Sequence, residues 1–283
     1  MQPDVILLPL ALLSLIVASY TDLKTREVPD WLNYALLFSA FGIRILFAIE
    51  LDWSVLISGI LGFSVCFILA YLFYQTDQWG GGDSKLLMGM GAIIGISYPL
   101  NSSSLNLLWY ILALLFLGSL YGVLWMLYLA LSKKSLFWPI WKEKIKKQHK
   151  LNLIFILISI GFVILTFFFK SAWPLIILPL FLFYLFLFVS TMEDHFFIKN
   201  VTPSELTEGD WLAQDITVDG RTLIYKKTLE QNDLKKLTTL HKDKKISTIA
   251  IKEGVPFVPS FLFAYLFLQF GLPYISPLLN KIF

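Results

Sequence analysis

The chain has 283 residues, 57% of them hydrophobic and only 15% charged, with a formal net charge of +3. A soluble domain carries about 25% charged residues, so this composition excludes a soluble enzyme, a nucleic-acid binder and a disordered chain. It predicts an all-α polytopic membrane protein. The one cysteine, Cys66, lies inside an apolar run, which excludes an intrachain disulfide and a cysteine-rich zinc site.

A bilayer span needs about 20 apolar residues at 1.5 Å rise each. By that rule the sequence predicts eight transmembrane helices, near residues 4–21, 31–49, 54–75, 84–100, 105–131, 151–169, 172–191 and 256–280. No Lys or Arg precedes the first, so it is expected to remain in the mature protein rather than to be removed as a signal peptide. Arg44, inside the second span, is expected to snorkel toward the outer face or to meet Glu50. Basic residues in short loops are retained in the cytoplasm. Residues 132–150 hold Lys133, Lys134, Lys142, Lys144, Lys146, Lys147 and Lys150, whereas the loops at 50–53 and 98–104 hold no Lys or Arg. That asymmetry puts 21–30, 76–83, 132–150 and 192–255 inside, and both termini outside.

Residues 195–255 carry ten of the 23 basic residues. Asp219-Gly220 supplies a tight turn between Asp215–Val218 and Arg221–Lys226, predicting a hairpin. Leu229–His241 reads as a helix with Leu234, Leu237 and Leu240 on one face, and Ile246–Ile251 as a strand. A small cytoplasmic α+β module is therefore expected. The predicted organisation is a membrane core at 1–131, a basic loop with two further spans at 132–194, the soluble module at 195–255 and a last span at 256–283.

Ionisable groups at the rim of a helix bundle are expensive to keep there and are functional candidates by default. Two carboxylates stand out: Asp22, where the first span leaves the bilayer, and Asp83, in Trp79-Gly80-Gly81-Gly82-Asp83-Ser84-Lys85 before the fourth. The topology puts both at the cytoplasmic boundary. Two carboxyl groups about 3 Å apart cannot both ionise. The ionised one takes a proton from attacking water and the neutral one donates to the substrate, which needs no cofactor. Gly80, Gly81 and Gly82 let a substrate strand approach closely, and Gly91 with Gly95 gives the small-xxx-small spacing for close helix packing. The bland reading also stands: Asp22 serves as an interfacial partner for Lys and Asp83 as a helix cap. His149, His195 and His241 lack ligand spacing, so no metal is assigned.

The stretch Asp22-Leu23-Lys24-Thr25-Arg26-Glu27-Val28-Pro29-Asp30 and the Gly-Gly-Gly-Asp-Ser-Lys stretch ending at Lys85 together resemble the two signatures of the type IV prepilin peptidases and archaeal preflagellin peptidases. These are GxGD membrane aspartyl proteases. The resemblance covers about residues 1–130 and implies that Asp22 and Asp83 are catalytic, in an enzyme that removes a short basic leader from pilin-like or archaellin precursors. The loop of about ten residues between the first two spans lacks the cysteines of many bacterial members, so the chain looks like the archaeal type without methyltransferase activity. The implied partners are such a precursor and membrane lipid, with no nucleic acid. The implied location is the cell membrane, with the site facing the cytoplasm. Glu27, Asp30 and Asp77 are expected to attract the leader's positive charge or, equally, to balance Lys24, Arg26 and Lys85; Lys85 either tunes the carboxylates or anchors its helix. The alternatives are an intramembrane protease of the presenilin or signal peptide peptidase kind, and a transporter or assembly subunit whose carboxylates bind protons, ions or helices.

Overall fold

The computed structural model describes residues 2–76, 78–218 and 221–274. Among them, six stretches are long and apolar enough to cross a membrane: Asp4–Thr25, Asp30–Glu50, Ser54–Gln75, Ser103–Ser132, His149–Phe168 and Lys170–His195. The chain is thus mostly helical and polytopic. Its contacts divide it into two compact units, residues 1–122 with 254–283, and residues 123–253.

The first unit begins with α1 (Asp4–Thr25), α2 (Asp30–Glu50) and α3 (Ser54–Gln75). The nine-residue stretch between Asp22 and Asp30 acts as a corner. Arg26 ends α1 in the left-handed region (φ 62°) and its N–H donates to the Asp22 carbonyl. Val28 is buried, and Pro29, with φ already near helical, precedes the first residue of α2. Asp30 then places a negative charge at the positive end of that helix.

The fourth helix, α4, runs Gly81–Ile94, not 84–100. Gly80 caps it in extended conformation, and Gly95, at φ 69°, ends it. Asp83 therefore belongs to the first turn of α4 instead of preceding the helix. Fourteen residues make about 21 Å of helix, against about 30 Å of hydrocarbon, so α4 is too short to span alone. It is the innermost helix of the unit: Leu86, Leu87, Met90 and Ala92 are fully buried. Glycines make this possible. A Cβ on Gly91 would meet Cys66 and the Gly62 carbonyl of α3, and one on Gly89 would meet Leu36 of α2. The spacing of Gly91 and Gly95 thus serves the contact with α3, not one with α1.

Arg44 does not snorkel. It is buried (4% exposed) and donates to the carbonyls of Ala92 (2.7 Å), Ile93 (2.8 Å) and Val55 (2.8 Å). A cation satisfying the orphan carbonyls at the end of α4 meets both the hydrogen-bonding need and the dipole there. A short 3₁₀ turn, Ser102–Leu105, leads into α5 (Asn106–Ser132).

In the second unit, residues 134–147 form a helix, α6 (Lys134–Lys147), where a basic loop is expected from the sequence. Phe137 and Trp141, one turn apart, pack on Phe188, and Lys144 bonds Asp194 (2.7 Å) and Ser190 (2.7 Å). Phe188, Ser190 and Asp194 belong to α8 (Leu178–His195), which follows α7 (His149–Phe168). Most of the apolar side chains of α7 are exposed, as suits a lipid-facing helix.

Residues 198–252 carry five short strands and one helix. β1 (Ile198–Val201) and β2 (Trp211–Leu212) flank β5 (Ile249–Lys252), both antiparallel to it, and β3 (Ile216–Val218) pairs with β4 (Arg221–Ile224). The tip of that hairpin, Asp219-Gly220, lies outside the described residues. α9 (Gln231–Lys242) starts in a capping box between Glu230 and Asp233 and contributes Leu237 to a core with Leu212, Ile216, Ile224 and Ile251.

Back in the first unit, the last described helix, α10 (Val258–Leu266), continues as a π segment, Phe267–Gly271. The expected final span at 256–280 lies beyond residue 274 in part, outside the described residues.

Candidate active site

The local sequence explains how each carboxylate is presented. Asp22 sits on the last turn of α1 and is 6% exposed. Its Oδ2 accepts the backbone N–H of Val258, the first residue of α10, at 2.9 Å. Arg26, one turn further along α1, adds electrostatic attraction.

Asp83 is the third residue of α4, the position from which a carboxylate reaches back to the N-terminal cap. The N–H of Gly80 is directed at it, and the space where a Gly80 Cβ would lie is 3.9 Å from Oδ2. Asp83 is half-buried. Burial of its carboxyl first, and the charge of Asp22 second, push its pKa up to about 7, with the Gly80 N–H opposing. The two carboxyls therefore stand within electrostatic reach of each other, although 61 residues separate them in sequence.

What joins the two segments is a contact between their least bulky and their β-branched members. A Cβ at Gly82 would lie 3.2 Å from that of Val28 and 3.4 Å from its backbone nitrogen. Asn33 of α2, 2% exposed, donates to the Gly82 carbonyl (3.3 Å). The glycine run and the corner after α1 thus form one packed layer. Beside it Trp79 stacks on Phe73 (centroids 4.6 Å) and contacts Phe257 and Phe261 (5.5 Å each). Tyr121 of α5 lies within electrostatic reach of Asp22 and Arg26.

The other sequence-derived candidates fall at the rim. Lys85 is two residues from Asp83, and such neighbours face different sides of a helix. Its ammonium pairs with Asp30 at 2.6 Å and lies 5.5 Å from the Tyr34 ring centroid. That pair clips the start of α2 to the start of α4, so Asp30 is engaged within the chain. Glu27 is exposed, and Asp77 lies outside the described residues. Sequence reasoning missed Val258, Asn33, Tyr121 and the aromatic wall. Only Val258 had a local signal: Pro259 marks a helix start, without indicating what the first N–H would meet.

Residues 9–131 match the family described as type IV leader peptidase. The chain is similar to proteins named preflagellin peptidase. That of Methanococcus maripaludis is 44% identical over 87 residues, 29% of this chain and 36% of that protein. That of Methanococcus voltae is 37% identical over 97 residues, 33% of this chain and 41% of that protein. That of Methanocaldococcus jannaschii is 38% identical over 87 residues, 29% of this chain and 35% of that protein. These alignments span between about a third and two fifths of each relative's length.

Proposed function

We propose that the chain, whose residues 9–131 match the type IV leader peptidase family, is a membrane aspartic endopeptidase that removes the short basic leader of prepilin-like or preflagellin (archaellin) precursors. The observation that carries this reading is that Asp22, held by the Val258 N–H, and Asp83 stand within electrostatic reach of each other, burial and then the charge of Asp22 pushing the Asp83 carboxyl up to about 7. In such a pair the ionised carboxylate removes a proton from water as the water oxygen bonds to the scissile carbonyl carbon. The neutral carboxyl gives its proton to the carbonyl oxygen, forming a tetrahedral diol. Collapse of the diol breaks the C–N bond: the proton held by the first carboxyl passes to the leaving nitrogen, one diol hydroxyl returns its proton to the second carboxylate as the carbonyl re-forms, and the starting protonation is restored. Gly80 and Gly81 keep the rim free of side chains where an extended substrate backbone would lie, and Gly82 lets that rim pack on Val28.

The positive-inside rule supports an active site at the cytoplasmic face of the cell membrane, since the lysine-rich segment 132–150 and the two aspartate motifs fall on the same side once α4 is counted as a crossing, a count supported by Arg44, which joins the Ile93 carbonyl at the end of α4 to the Val55 carbonyl at the start of α3. A basic leader followed by an apolar helix presents its scissile bond at that boundary. Glu27 and Asp77, with Asp30 where Lys85 releases it, supply negative charge to attract the leader.

The test is cleavage of a pilin or archaellin precursor in liposomes by wild type, Asp22→Asn and Asp83→Asn. A shortened product made by wild type alone is expected. Cleavage by either variant removes that aspartate from the mechanism, and a folded wild type that cuts no precursor overturns the peptidase reading.

A further inference from the structure

The two carboxylates are not equivalent in their surroundings, and a segment far outside the family-matched stretch makes the difference. The backbone N–H of Val258 is buried and points at Asp22 Oδ2 from 236 residues further along the chain. It is the first amide of α10, one of the helix-end donors that have no partner within their own helix. Proline at 259 has no N–H to offer, and the amide of Ser260 turns back to the Phe257 carbonyl (3.0 Å). Of the first three positions of α10, Val258 alone directs a donor at Asp22, at the end where the helix dipole is positive.

The placement is held from both ends. Tyr265 of α10 donates its hydroxyl to the Leu8 carbonyl of α1 (3.1 Å), so α10 is tied to α1 near its far end as well as at Asp22. The Phe257 ring, at the helix cap, lies against Trp79 and would meet any Cβ placed on Gly118 of α5. The charged and titratable groups facing Asp22 are Arg26 from its own helix, Asp83 from α4 and Tyr121 from α5; α10 brings the uncharged amide. At Asp83 it is the N–H of Gly80, from its own helix cap, that opposes the effect of burial.

We infer that the Val258 amide is a positioning group for Asp22: it orients that carboxylate and holds it ionised as the base toward water, leaving Asp83 to be the proton donor. This rests on the endopeptidase reading and divides the roles within it. It also makes the start of α10 part of the active site.

An amide-to-ester replacement at Val258, with the matching hydroxy acid, removes the N–H and changes little else. Losing one hydrogen bond to a charged group moves the acid limb of the kcat/KM profile up by about one pH unit. Val258→Ala keeps the amide and therefore keeps the position of that limb, whatever it does to the absolute rate. An acid limb unmoved by the ester, or moved equally by Val258→Ala, overturns the inference. If wild type cleaves no precursor, the peptidase reading fails separately. The same pair of proteins is then compared by infrared titration of the Asp22 carboxyl band, assigned by its loss in Asp22→Asn; the ester must move that band's midpoint by a similar amount, and an unmoved midpoint overturns the inference.

Discussion

Replacing Gly91 by alanine tests whether the depth of α4 in the bundle controls the distance between the two aspartates. The new Cβ would stand 2.6 Å from Cys66 Cβ, 2.6 Å from the Gly62 carbonyl oxygen and 2.7 Å from Cys66 Sγ. The first two are fixed to the backbone of α3, so no rotamer change relieves them, and α4 must retreat by roughly 1 Å to restore ordinary contacts. On the other side α4 packs closely on α2, where a Cβ on Gly89 would stand 2.9 Å from Leu36 Cδ2, so retreat has to displace the Leu36 side chain. Overpacking of this kind costs about 1–3 kcal/mol. Asp83 lies eight residues earlier on the same rigid helix, about 12 Å away along its axis. A 1 Å displacement carried to a reacting group costs about 100-fold in rate. The assay pairs thermal unfolding in detergent with the rate of precursor cleavage. Gly42→Ala is the control, since a Cβ at Gly42 meets nothing within 4 Å. Gly91→Ala is expected to lower both stability and rate while Gly42→Ala lowers neither. A Gly91→Ala protein with the melting temperature and rate of wild type would refute the reasoning.

Arg44→Met removes the donor to three carbonyls and is expected to destabilise the chain by no less than about 3 kcal/mol; unfolding in detergent measures it, and a loss below about 1 kcal/mol shows that water replaces the guanidinium. Asp83 holds its proton more tightly in the folded chain, with a pKa of about 7, than at its ordinary 3.8. Its contribution to stability is therefore fully present below about pH 4 and is lost as pH rises to about 7. Asp83→Asn should raise the melting temperature at pH 8 more than at pH 5, and an equal change at both contradicts the assignment. Asp30→Asn breaks a partly exposed ion pair and should change stability by only about 0.2–1 kcal/mol, as measured by the same unfolding assay. Glu27→Lys with Asp77→Lys is expected to raise KM for basic leaders several-fold with little change in kcat; unchanged KM removes the charge-attraction role.

The long helices were legible because lipid leaves no alternative to continuous apolar runs with internally satisfied backbones. The limits of α4 were not. Its apolar run continues past Gly95, and three glycines at 80–82 read as loop where Gly80 instead caps and Gly81 begins the helix. The same weighting hid α6, whose Pro139 and lysines read as a loop until Phe137 and Trp141 find Phe188. Both carboxylates were visible as isolated charges beside apolar runs. Their surroundings were not, because Val258, Asn33 and Tyr121 arrive from other helices. Arg44 was legible only as an anomaly, since two of the three carbonyls that account for it lie 48 and 49 residues away.

The shortness of α4 divides the thickness of the bilayer. A rod of about 21 Å within a hydrocarbon layer of about 30 Å leaves about 9 Å unfilled along its own axis. If Asp83 acts as proposed, whatever occupies that remainder at its end is polar, because water must reach a carboxyl that uses it. On the proposed endopeptidase reading, the start of α4 then opens on a shallow wet recess below the headgroups, and an apolar precursor helix would have to unwind only at its rim to bring an extended bond to Asp83.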